Sequence, residues 1–123
     1  MFMTATRAIA SISDEMKSGQ PQLHDLYVLM DDLRRVWSDD AVQFADDGTQ
    51  DRRAVAVVAA TVDVLADELG QDTPPWTWGI DLDEPWFLWP ATSPAARMLV
   101  MMRTHPAFML RGVLVPRDIM TRV

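Results

Sequence analysis

The sequence predicts a mainly α fold. Its parts are a compact bundle of three N-terminal helices, a Trp/Pro-rich joint, one or two C-terminal helices and at most one very short strand pair. Three observations predict it. Apolar residues recur with helical period in three stretches of residues 1–70. Four of the five tryptophans and four of the eight prolines then crowd into Pro74–Pro90. Beyond that joint the chain is apolar and, from Ala91 on, carries five arginines against Asp118 alone.

The first helix is expected over residues 4–18, where Ala5, Ala8, Ile9, Ile12 and Met16 mark one face. Gly19 stops it, because glycine takes the left-handed cap conformation without a Cβ clash. Pro21 is expected to open the second helix at its first turn, where a missing N–H costs nothing. Leu23, Leu26, Tyr27, Met30, Leu33 and Trp37 line one face of it. Val28, Leu29 and Val36 widen that face, so the helix is covered on more than one side. Residues Ser38–Thr49 are polar and end in the turn signal Asp46-Asp47-Gly48; Ala41, Val42 and Phe44 make either a short helix or a tucked loop.

The third helix is the clearest, from about Asp51 to Leu69 with Gly70 as its stop. Val55, Val58, Val62, Leu65 and Leu69 form its stripe, and Ala54, Ala56, Ala59 and Ala60 permit close helix approach. Short links between the three imply an antiparallel bundle. In the joint, Pro74-Pro75 and Glu84-Pro85 forbid a continuous helix. Ser93-Pro94 opens the fourth helix, with Ser93 as N-cap. Met98, Leu99, Met101 and Met102 make that helix apolar nearly all round, until His105-Pro106 breaks it. Pro106–Arg111 gives one or two turns closed by Gly112, Val113-Leu114-Val115 reads as a short strand, and Pro116 opens a last turn through Ile119 and Met120.

A chain of 123 residues has room for one core, so residues 1–123 are expected to be a single domain. Its acidic helical part is 1–70; the joint and the apolar, arginine-bearing part are 71–123. Hydrophobic residues at 49 % and charged residues at 24 % are ordinary globular values and exclude disorder of the whole chain. With no cysteine there is neither a disulfide framework nor a thiolate metal site. MFMTATRAIAS has no apolar run long enough for a signal peptide, and no stretch approaches a membrane span. The expected location is therefore the cytoplasm.

The net charge of −7 is unevenly placed. Residues 1–70 carry 6 basic and 13 acidic side chains, whereas residues 71–123 carry 5 of each. Bulk DNA binding by the first part is disfavoured, because it repels phosphates. A basic partner suits the first part and an acidic one the tail.

Few residues point to chemistry. His24 and His105 have no ligand-spaced partner, so no metal site is expected. No cofactor is expected either, since the five glycines are isolated and form no phosphate loop. Ser11, Ser13, Ser38 and Ser93 sit in helix or cap contexts, which leaves no catalytic nucleophile. The doublets Asp31-Asp32, Asp39-Asp40 and Asp46-Asp47 read as solvated faces and turns. Asp81, Asp83 and Glu84 crowd the joint and suit either turn chemistry or an acid–base pair. The joint tryptophans have two readings: large apolar anchors that pin the segment to the bundle, or binding hot spots beside arginine. The tail methionines fit irregular core filling and an adaptable partner surface equally well.

The joint and tail also carry a longer pattern. Leu82-Asp83-Glu84-Pro85-Trp86-Phe87 is followed by Ser93-Pro94 with Arg97, by Pro106-Ala107-Phe108, by Arg111-Gly112-Val113-Leu114-Val115, and by Arg122-Val123. Over about residues 74–123 this resembles a family of small bacterial proteins associated with toxin–antitoxin loci. Its members are read as the antitoxin beside a nucleotidyltransferase-like toxin. In the family pattern a run of arginines precedes the glycine; here Met109-Leu110-Arg111 leaves one.

The resemblance implies a non-enzymatic binding protein that neutralises a partner toxin enzyme by direct complex formation. It points to Trp86, Phe87, Trp89, Arg97, Phe108 and Arg111 for fold or partner contact. The partner would be a protein such as that toxin, with the chain's own promoter DNA and a homodimer as further associations and no membrane. A DNA-binding autoregulator is the alternative reading. A small enzyme using Asp81, Asp83 and Glu84 is the second alternative.

Overall fold

The computed structural model describes residues 2–121. Five helices carry the fold: α1 (Ala5–Lys17), α2 (His24–Arg35), α3 (Arg52–Glu68), α4 (Pro94–Arg103) and α5 (Pro106–Met109). Two short strands, β1 (Trp86–Phe87) and β2 (Val113–Leu114), pair in parallel, with Trp86 opposite Val113 and Phe87 opposite Leu114. The mainly α class and the single very short strand pair are as the sequence predicts. A parallel pair needs a crossover connection, and here α4 and α5 lie within it.

α3 is the axis of the molecule. Eleven of its residues are buried, including Ala56, Ala59, Ala60 and Thr61 off the main valine stripe. A helix apolar all round must be enclosed. α1 and α2 pack against it, and so do α5, β2 and the 3₁₀ turn Pro75–Thr77 from the second half of the chain. The buried apolar side chains form one continuous cluster from Met3 to Met120. The two charge-defined parts of the sequence thus share a core.

The helix ends follow local chemistry. Thr4 caps α1 through Arg7 N–H, Asp51 caps α3 through Arg53 N–H, and Ser93 caps α4 through Ala96 N–H. Gly70 takes φ +65° just after α3.

Two expectations need correction. α2 begins at His24 and not at Pro21, and Leu23 precedes it in the left-handed conformation at φ 63°. That costs of order 1–2 kcal/mol in a residue with a Cβ. Burial offsets it, because the turn places Leu23 in the core at 2 % exposure. α2 also ends at Arg35, before Trp37, as Val36 turns extended. Trp37 still packs on the core from outside the helix and donates its indole N–H to Asp39 at 2.9 Å.

Residues 38–51 form the tucked loop of the two forms expected there. Ala41, Val42 and Phe44 are buried. The loop is tied down where Ala41 O accepts from Ala5 N–H at 2.7 Å.

Candidate functional site

Two surfaces follow from the second half of the chain: the joint and α4. The joint is fixed at its start by Trp76, whose indole N–H donates to Val42 O at 2.7 Å and whose ring meets Phe44 edge-on at 5.3 Å. Thr77 is buried and bonds back to Pro74 O. Further on, Leu82 N–H donates to Arg111 O, Trp86 N–H to Gly112 O and Leu88 N–H to Leu114 O. Leu88 is fully buried. Its carbonyl accepts from the side-chain amide of Gln20, which ties the joint back to the α1–α2 link.

Arg111 sits at the centre of this arrangement. Its Nη1 donates to Asp63 Oδ2 of α3 at 3.1 Å and to Ala107 O at 2.7 Å, and its Nη2 donates to Thr77 O at 3.0 Å. One guanidinium thereby links α3, α5 and the 3₁₀ turn. At 7 % exposure Arg111 is interior, and so is Phe108 at 1 %. The sequence marks both for fold or partner contact. Of those two roles the structure shows the first: Phe108 is packed in the core, and Arg111, at the floor of a shallow cleft with Asp63 and Asp81, is bonded to three elements of the fold.

The other candidates are nearer to solvent. Trp86, Phe87 and Trp89 are half-buried, and both tryptophans pack on the core. Arg53 lies over the Trp86 ring at 5.6 Å and Arg97 over the Phe87 ring at 5.6 Å. Trp78 stands apart from the other joint tryptophans at 66 % exposure. The anchoring and surface readings of the tryptophans thus divide residue by residue.

α4 is built the reverse way to an ordinary surface helix. It is capped by Ser93 and opened by Pro94, and Arg97 Nε donates to Ala91 O at 2.9 Å. None of its residues is buried. Ala96 and Val100, four apart, are its less exposed positions, and the row continues to buried Thr104. Thr104 donates to Val100 O at 2.6 Å and accepts from Val115 N–H at 3.2 Å, which fastens the helix end to the strand region. The large apolar side chains Met98, Leu99, Met101 and Met102 point away, 44 % to 73 % exposed. Small residues face the protein and large apolar ones face water.

Asp81, Asp83 and Glu84 are exposed at the turn before β1. Among the described residues no cluster of three His, Asp or Glu side chains is arranged to hold a metal ion. His105 caps α5 by accepting Ala107 N–H at Nδ1, and His24 is exposed at the start of α2. No helix among the described residues is long and apolar enough to cross a membrane. Arg122 and Val123, the end of the family-like pattern, lie outside the described residues.

Sequence reasoning missed Asp63, Leu88 and Thr104. Asp63 carries a faint signal, as the lone carboxylate between Val62 and Val64 in an apolar helix. Leu88 shares strand parity with Trp86, which places both on one face. Thr104 carries no such signal.

Fold and surfaces define a helical domain wrapped on a central helix, with one apolar helix left uncovered. Comparison with protein-family models, with curated proteins and with solved structures finds no match to this chain.

Proposed function

We propose that this chain is a non-enzymatic, antitoxin-like binding module that neutralises a partner toxin enzyme by direct complex formation. One observation carries the reading: α4 turns Met98, Leu99, Met101 and Met102 to solvent while smaller residues face the protein. Exposed apolar patches mark interaction sites. Methionine suits such a surface because its flexible thioether adapts to the facing shape. The resemblance of the joint and tail to an antitoxin-like family supplies the class of partner. Asp81, Asp83 and Glu84 lie in the open at a turn and lack the water-excluded setting in which an acid–base pair works. The proposed location is the cytoplasm, beside the enzyme it restrains.

Co-expression with the product of the neighbouring gene tests the reading. That product is expected to arrest growth when expressed alone, to be harmless with this chain present, and to co-purify with it. A neighbour that is harmless alone, or that does not co-purify, overturns the proposal.

A further inference from the structure

We infer that α4 is the docking element, and that it inserts into an apolar groove, rimmed by carboxylates, on a different protein. The inference rests on the binding reading above and adds the surface and the chemistry of the partner. The outward pairs Met98/Met102 and Leu99/Arg103 are each four residues apart, the spacing by which one helix face is read in a groove. The helix is already in place before it binds. Ser93 and the Arg97–Ala91 and Arg97–Phe87 contacts hold its start, and Thr104 holds its end. A preformed helix loses little freedom on docking.

Charge selects the groove. Arg97 and Arg103 lie at opposite ends of the apolar face, and Arg117 lines a shallow cleft with Met102 and Arg103. Asp118 is the single carboxylate in that cleft. Arg103 and Arg117 make no ion pair among the described residues. Carboxylates around a partner's groove would complement these cations.

Other occupants fit less well. A bilayer or a nucleic-acid duplex is an extended anionic surface, which would also meet the acidic first half of a chain of net charge −7. A groove is local, and charges beyond about 8 Å are screened at physiological salt. A second copy set α4 against α4 would bring the same arginines together.

The test uses the co-expressed neighbour product as probe, with affinities from calorimetry on the purified proteins. Met102→Glu and Leu99→Glu should each weaken binding roughly tenfold or more. Arg103→Glu combined with Arg117→Glu should weaken it and flatten its salt dependence. Val36→Glu, at an exposed apolar position after α2, should bind as the parent does. Unchanged thermal melts show that the variants fold, which is expected because every substituted residue is exposed.

If the parent chain binds and the α4 variants bind equally well, the docking inference falls while the binding reading stands. Loss of binding in Val36→Glu alone overturns it in favour of the acidic half. If the parent chain does not bind, both fall. Three further results overturn the inference by naming another occupant, each when abolished by Met102→Glu. They are a dimer of the isolated chain in light scattering, binding to phosphatidylcholine vesicles containing phosphatidylserine, and binding to the promoter duplex.

Discussion

Arg111 and Asp63 meet at 3.1 Å although 48 residues of chain separate them. The pair closes the second half of the molecule onto the central helix. Arg111→Ala removes the ion pair and leaves Ala107 O and Thr77 O without their donor. Asp63 is partly open to water, which tempers the cost of losing its partner. The expected destabilisation is about 2–3 kcal/mol in urea denaturation. Arg111→Lys keeps the charge but not the planar fork and should cost about 1–2 kcal/mol.

Leu88 and Trp78 separate anchoring from display within the joint. Leu88→Ala empties a fully buried site and should cost about 2–4 kcal/mol. Trp78→Ala removes a mostly exposed ring and should shift stability by less than about 0.5 kcal/mol. Urea midpoints of the two variants check the contrast.

Gly112 is constrained by conformation and by space together. It holds φ +80°, and a Cβ there would lie 3.2 Å from Leu82 Cβ. Leu82 is itself held by its N–H to Arg111 O and has little room to give. Gly48 has the same φ with nothing within 4 Å. Gly48→Ala should therefore cost about 1 kcal/mol, from backbone strain alone. Gly112→Ala should cost about 2 kcal/mol or more. The difference in thermal or urea stability measures the Leu82 contact.

Acid should weaken α3 and its link to α2. The Arg53 side chain, helped by the Arg53 backbone N–H, holds the Asp51 carboxyl below its usual range, and Arg34 does the same for Glu68. A carboxyl whose folded value is lowered stabilises fully above its unfolded value, near about 4. That contribution is lost as pH falls through the lowered folded value. Both groups are partly exposed, so each is worth less than about 1 kcal/mol. Urea midpoints should fall below about pH 4. Asp51→Asn keeps a good N-cap but removes one titrating group, so its fall should be shallower.

Much of the fold is legible in the sequence because its determinants are local. Ser93-Pro94 before α4, Gly70 after α3 and the helical period of the valine stripe each act within a turn or two. Pro21 misleads for the opposite reason: burial of Leu23, a tertiary demand, sets where α2 starts. Of the residues the sequence singles out, Trp86, Phe87 and Arg97 lie at or near the surface and Arg111 lies inside, a difference the sequence does not show. An arginine beside a glycine looks the same whether its guanidinium is solvated or bonded to α3.

By itself, the sequence determined a cysteine-free helical chain with an acidic first half, a non-helical Trp/Pro joint and a methionine-rich fourth helix. Only the tertiary structure decided that α3 lies at the centre, that Arg111 and Phe108 are interior, and that α4 shows its large side chains to water. Periodicity reports which residues share a helix face. It does not report whether another element arrives to cover that face, because this depends on contacts between residues far apart in the chain. In α4 the small row of Ala96 and Val100 is turned inward. The methionines are left outside, where the same apolar pattern serves a surface and not a core.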